Sequence, residues 1–140
     1  MVSEGQIVCI IDGQGGGIGA AIIKRIKERF GEKHQITALG TNAIATAQML
    51  KAKANKGASG SNAIVQTVKK ADVIMGSVSI IMPHAMMGEL TPVMAEAISL
   101  ARAKKILLPL TQENIVLVGT DSLPLPQLID ELLDQHLSFL

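Results

Sequence analysis

A three-layer α/β sandwich on a mostly parallel five-stranded sheet is the fold class that the chain predicts, and three observations carry it. An apolar run, Ile7, Val8, Cys9, Ile10 and Ile11, ends in Asp12 and a cluster of glycines. Strands apolar on successive residues are buried on both faces, as in parallel sheets. Strand-like and helical segments then alternate along the chain, which is the pattern of a parallel sheet covered by helices on both sides. With 140 residues and no internal repeat or linker, the chain fits one domain spanning 1–140.

Each element has its own signal. Ile18, Ile22, Ile26 and Phe30 recur at four-residue spacing, with Lys24, Arg25, Lys27, Glu28 and Arg29 between them and Gly31 as a stop, so the first helix is amphipathic. Residues 35–39 read as the second strand. Gly40, Thr41 and Asn42 turn it into a helix with Ala43, Ala47, Leu50 and Ala54 on one stripe, stopped at Gly57. Residues 57–62 read as a loop, and 63–70 as a short helix or an irregular return.

Residues 71–76 read as the third strand, with 77–82 extending it or opening the next loop. Thr91 caps a helix with Pro92 in its first position, and Val93, Met94, Ala97, Ile98 and Ala101 form the expected inner face. Residues 105–110 and 115–118 are the fourth and fifth strands. Only Thr111, Gln112, Glu113 and Asn114 separate them, too few for a parallel crossover, so the last strand is expected to be antiparallel. The final helix begins near Pro124 or Pro126 and returns Leu125, Leu128, Ile129, Leu132 and Leu133 to the sheet.

Composition narrows the function classes. A hydrophobic content of 48% with only Phe30 and Phe139 as aromatics requires an aliphatic core. A formal charge of +1, with no aromatics interleaved among the basic residues, argues against nucleic acid as a partner. No apolar run reaches the length that crosses a membrane, so the apolar surplus is expected in the core or in a homo-oligomer interface. One cysteine and no signal-like start lead to the expectation of a cytoplasmic protein.

The candidate site is the glycine loop. Asp12, Gly13, Gln14, Gly15, Gly16, Gly17, Ile18 and Gly19 follow a buried strand and open a helix, where exposed main-chain amides and the helix dipole favour an anion. A small phosphate-bearing ligand, NAD(P) or another nucleotide, is the expected partner. In open parallel sheets the crevice lies beyond the carboxyl ends of the strands. That nominates Gly40, Thr41 and Asn42 after the second strand, Gly76 and Ser77, with Ser79, after the third, and Pro109, Thr111 and Asn114 after the fourth.

NAD sites usually carry an acidic residue about twenty positions past the glycines to hold the ribose diol, yet Gly40, Thr41 and Asn42 stand there. Thr41 and Asn42 can hydrogen-bond a ribose or cap the helix. Asp12 can orient the loop by accepting turn amides. His84 and Glu89, in an unusual methionine-containing segment before Thr91, are the candidates for acid-base work. Cys9, His34 and His136 do not converge in spacing, so no metal site is expected.

Gly13, Gly17 and Gly19 give a G-x-x-x-G-x-G spacing that resembles the cofactor loop of short-chain dehydrogenases over the first quarter of the chain. The chain has no tyrosine, so the Tyr-x-x-x-Lys catalytic pair which that resemblance implies is missing. Three segments, 13–19, 39–46 and 88–92, together resemble a family of small bacterial proteins described as a domain of unknown function. That resemblance implies a single-domain cytoplasmic protein and names no substrate.

The expected function is therefore nucleotide or dinucleotide binding on a Rossmann-like domain. The alternatives are a small enzyme acting on a phosphorylated or nucleotide-linked metabolite, or a non-catalytic oligomeric subunit.

Overall fold

The computed structural model describes residues 5–120 and 122–137, and Phe139 lies outside them. One five-stranded sheet contains β1 (Ile7–Asp12), β2 (Gln35–Gly40), β3 (Lys56–Ser59), β4 (Val73–Ser77) and β5 (Lys104–Leu108), in the order β3-β2-β1-β4-β5. All four pairings are parallel. β1 is central, with Ile10 level with Ala38 on one side and Met75 on the other. β3 and β5 are the edges.

Strand alternation decides which helices cover which face. Val8, Ile10 and Met75 meet Ile22, Ile23 and Ile26 of α1 (Gly17–Phe30), Met49 of α2 (Ala43–Lys51) and Leu128 and Ile129 of α5 (Leu125–Leu132). Cys9, Ile11 and Ile74 face the opposite way, toward Ile64 of α3 (Ser61–Thr67) and Met94, Ala95 and Ile98 of α4 (Pro92–Leu100). Each buried isoleucine or leucine in these layers is worth about 1.5–3 kcal/mol relative to exposure. Ion pairs from Arg25 to Asp130 and from Arg29 to Asp134 tie α1 to the C-terminal helical segment.

The expected antiparallel last strand does not form. Residues 115–118 make only local bonds, such as Ile115 N–H to the Glu113 carbonyl, and Val116 and Val118 are 86% and 95% exposed. β-Branched side chains alone do not make a strand without a ladder to join and a face to bury. The fifth strand is β3, expected as helix stop and loop. Its sequence, Lys56, Gly57, Ala58 and Ser59, lacks apolar alternation, and its extended form is fixed by pairing with β2 from Thr37 to Gly40.

Two helix faces also differ from expectation. α2 buries Ala45, Thr46 and Met49 and leaves Ala43 and Ala47 exposed, because Ala45 and Met49 pack against Gly16 and Gly19 at the start of α1. α4 buries Met94, Ala95 and Ile98 and leaves Val93 59% exposed. Residues 78–81 form a 3₁₀ turn rather than extending β4.

Candidate functional site

The carboxyl end of β1 carries Asp12, and Gly16 N–H to the Gly13 carbonyl at 2.9 Å closes the turn that follows. Gly16, in the left-handed region at φ 74°, brings no side chain to cap α1. Asp12 caps it from across the turn: its carboxylate accepts Gly13 N–H at 2.8 Å and Gly19 N–H at 2.7 Å. Burial pushes this carboxyl above its ordinary value. The amides of Gly19, Gly13 and Ile18 pull it back, and the charge of Glu89 adds to the upward push.

A second carboxylate reaches the same loop from far along the chain. Glu89 Oε1 accepts the main-chain N–H of Gln14 at 2.8 Å, the hydroxyl of Thr41 at 2.7 Å and the amide Nδ2 of Asn42 at 2.8 Å. Asn42 is the N-cap of α2, accepting Ala45 N–H at 2.8 Å through Oδ1, while its Nδ2 also donates to the Gln14 carbonyl. Partial burial opposes the charge on Glu89. The three donors outweigh that and hold the carboxyl below its ordinary value.

The segment that delivers Glu89 is tightly wound. His84, Met86 and Met87 take φ of 68°, 59° and 58°, a conformation that costs roughly 1–3 kcal/mol per non-glycine residue unless its surroundings impose it. Here they do: His84 N–H bonds the Leu90 carbonyl, Leu90 N–H bonds the Ala85 carbonyl, and Met86 N–H donates to Glu113 at 3.3 Å. Met86 Sδ lies 2.6 Å from where a Cβ on Gly13 would stand, so glycine there admits the protein's own segment.

Between the ends of β1, β4 and β5 lies a cleft of about 210 Å³. Asp12, Gln14 and Ile18 form one wall, and Ser77 and Ser79 line it from the end of β4. Leu110, Thr111, Gln112 and Glu113 line it from beyond β5, with Met86 also contributing. Ser79 donates to Thr111 Oγ1 at 2.9 Å, so the hydroxyls are already linked. Among the described residues no lysine or arginine lines this cleft.

The structure thus brings Asp12, Gln14, Ile18 and Ser77 to one cleft and sets Gly15 and Gly17, both exposed, in the same loop. Gly40, Thr41 and Asn42 do not line it; Thr41 and Asn42 are engaged with Glu89. Gly16, Gly19 and Gly76 admit close neighbours, namely Ala45, Met49 and the Ile11 carbonyl. His84 is exposed and makes no side-chain hydrogen bond among the described residues. Of the residues nominated beyond the fourth strand, Thr111 lines the cleft and Pro109 and Asn114 do not; Glu113, between them, carries no local signal that sets it apart from a turn.

Among the described residues no three of His, Cys, Asp and Glu are grouped to hold a metal ion. Nor is any helix there long and apolar enough to cross a membrane. Cys9 is fully buried, and that burial pushes its thiol up to about 12, with Lys56 opposing and Asp72 reinforcing the shift.

Fold and cleft define a parallel α/β protein with a crevice at its strand ends. Over residues 7–140 the chain matches the family described as Domain of unknown function (DUF3842), and it belongs to that family. No curated protein matches the sequence.

Proposed function

We propose that the chain is a Rossmann-like domain that binds a nucleotide or dinucleotide, with the ligand's phosphate at the amides of Gly15 and Gly17. The order β3-β2-β1-β4-β5 puts the cleft where the order of strand addition reverses beside β1, the place where doubly wound sheets hold ligands. The observation that carries the reading concerns those two glycines. Nothing lies within 4 Å of a Cβ built on either, and among the described residues no protein group accepts their amide protons.

The deeper amides of the helix start are taken by Asp12, so the phosphate's place is at the outer turn. With Asp12 and Glu113 in the cleft and no cation lining it, a diphosphate diester suits the site better than a terminal phosphate dianion. A cytoplasmic setting belongs to the same reading and rests on the unpaired Cys9 thiol. The test is a thermal-shift panel of NAD(H), NADP(H), ATP and GTP on wild type and Gly17→Val. Ligand at 100 times Kd stabilises by about 2.7 kcal/mol. The valine fills the open side of the loop and abolishes the shift; a shift shared by both proteins places the ligand elsewhere.

A second reading, a homo-oligomeric subunit, is favoured by the outer face of α4. Val93 and Leu100, 59% and 75% exposed, flank Ala97 beside Val65 and Val68, so α4 is apolar on both sides. Lys69 and Glu96 border this groove with opposite charge, which suits a two-fold contact with a second copy of the chain. Sedimentation of wild type and Leu100→Glu tests it: a dimer dissociated by the substitution is expected, and a monomeric wild type overturns it.

A further inference from the structure

We infer that Glu89 is the group that holds the ribose of the bound nucleotide, and that the ligand is therefore one whose ribose diol carries no phosphate. This rests on the nucleotide reading above. The end of β2 has no acidic side chain of its own, since Gly40, Thr41 and Asn42 occupy it. Glu89 arrives there from the segment before α4, within 2.7 Å of Thr41 and 2.8 Å of Asn42. A carboxylate is thereby restored, from a remote part of the chain, at the position where dinucleotide folds place their ribose acceptor.

The two carboxylate oxygens of Glu89 are used unequally. All three protein donors, Gln14, Thr41 and Asn42, converge on Oε1. Among the described residues none donates to Oε2, leaving that oxygen's lone pairs available to hydroxyl donors. The donors on Oε1 also fix the orientation, so a diol meets a preset acceptor. Adjacent main-chain amides link the two parts of the ligand: Gln14 N–H is on Glu89, and Gly15 N–H, next along the loop, is free. Sugar and phosphate are likewise neighbours in a nucleotide.

The consequence is discrimination. A ribose 2′-phosphate would set a dianion beside an ionised carboxylate in a partly desolvated site, where like charges repel most strongly. A nucleotide with a free ribose diol, such as NADH, fits, and its 2′-phosphorylated counterpart, such as NADPH, is disfavoured.

Glu89→Gln isolates this role, because its amide oxygen keeps an acceptor for Gln14, Thr41 and Asn42 while a donor replaces the free Oε2. Affinities of the full chain are measured for NADH against NADPH and for ATP against 2′-deoxy-ATP, in wild type and Glu89→Gln. Wild type is expected to prefer NADH, and ATP over its deoxy form, by about tenfold or more. In Glu89→Gln both ratios fall toward one through loss of the preferred ligand. Equal weakening of both members of a pair, or unchanged ratios, assigns Glu89 to loop support alone and overturns the inference while leaving nucleotide binding intact. Absence of binding by all four ligands to wild type overturns the nucleotide reading and this inference with it.

Discussion

Thr41 donates its hydroxyl to Glu89 at 2.7 Å across 48 positions of sequence, joining the end of β2 to the segment that precedes α4. Together with Gln14 and Asn42 on the same oxygen, this contact holds a stretch whose backbone would otherwise relax from its left-handed angles.

Glu89→Ala is expected to lower the free energy of unfolding by about 2 kcal/mol, since it strands partly buried donors of Gln14 and Thr41. The fully projecting Met87, 92% exposed, then becomes the first point of protease cleavage. Denaturant melts and limited proteolysis read both effects; an unchanged cleavage rate refutes the pinning role.

The pH response of stability is expected to include His34. It is 2% exposed, its Nδ1 accepts Gln6 N–H at 3.3 Å, and its Nε2 is without a partner among the described residues. Burial, helped by the charge of Lys33, lowers its pKa from 6.5. The unfolded chain then binds more protons, so stability is intact above 6.5 and lost as pH falls below it. Urea midpoints at about pH 7.5 and about pH 5.5 check this, one histidine giving a slope of at most about 1.4 kcal/mol per pH unit. A flatter slope is expected in His34→Asn.

Cys9 is expected to resist alkylation in the folded protein, because its thiol at about 12 is almost wholly protonated at neutral pH and the side chain is fully buried. Labelling should follow global unfolding. Stoichiometric reaction with a maleimide under native conditions within minutes would contradict it.

Glycine substitutions should divide by location. Gly76→Ala puts a Cβ 2.6 Å from the Ile11 carbonyl oxygen inside the sheet, and a loss of more than about 2 kcal/mol is expected from the forced separation of β1 and β4. Gly15→Ala meets nothing within 4 Å and should leave stability within about 0.5 kcal/mol. Thermal melts of the two variants distinguish the packing glycine from the loop glycine.

The central strands, α1 and α5 were readable because burial imprints itself on local pattern: Ile7 to Ile11 is a continuous apolar run, and Leu128, Ile129, Leu132 and Leu133 repeat at helical spacing. β3 was not readable, since Lys56, Gly57, Ala58 and Ser59 owe their strand to the ladder with β2. Val116 and Val118 misled for the converse reason, having strand-forming side chains and no ladder. Within the site, the caps at Asn42 and Thr91 were local and visible. Glu89 stood out as a titratable residue, but its partners lie 47 to 75 positions away, a distance that no motif spans.

With β3 and β5 at its margins and no further strand among the described residues, the sheet leaves main-chain donors and acceptors unclaimed along both rims. Such rims invite strand addition and fibrous association. Lys56 on β3 and Lys104 on β5 stand exposed there, so an incoming chain would have to strip water from an ammonium group at either margin. Replacing these lysines with valine would remove that cost and favour the edge-to-edge recruitment of further copies.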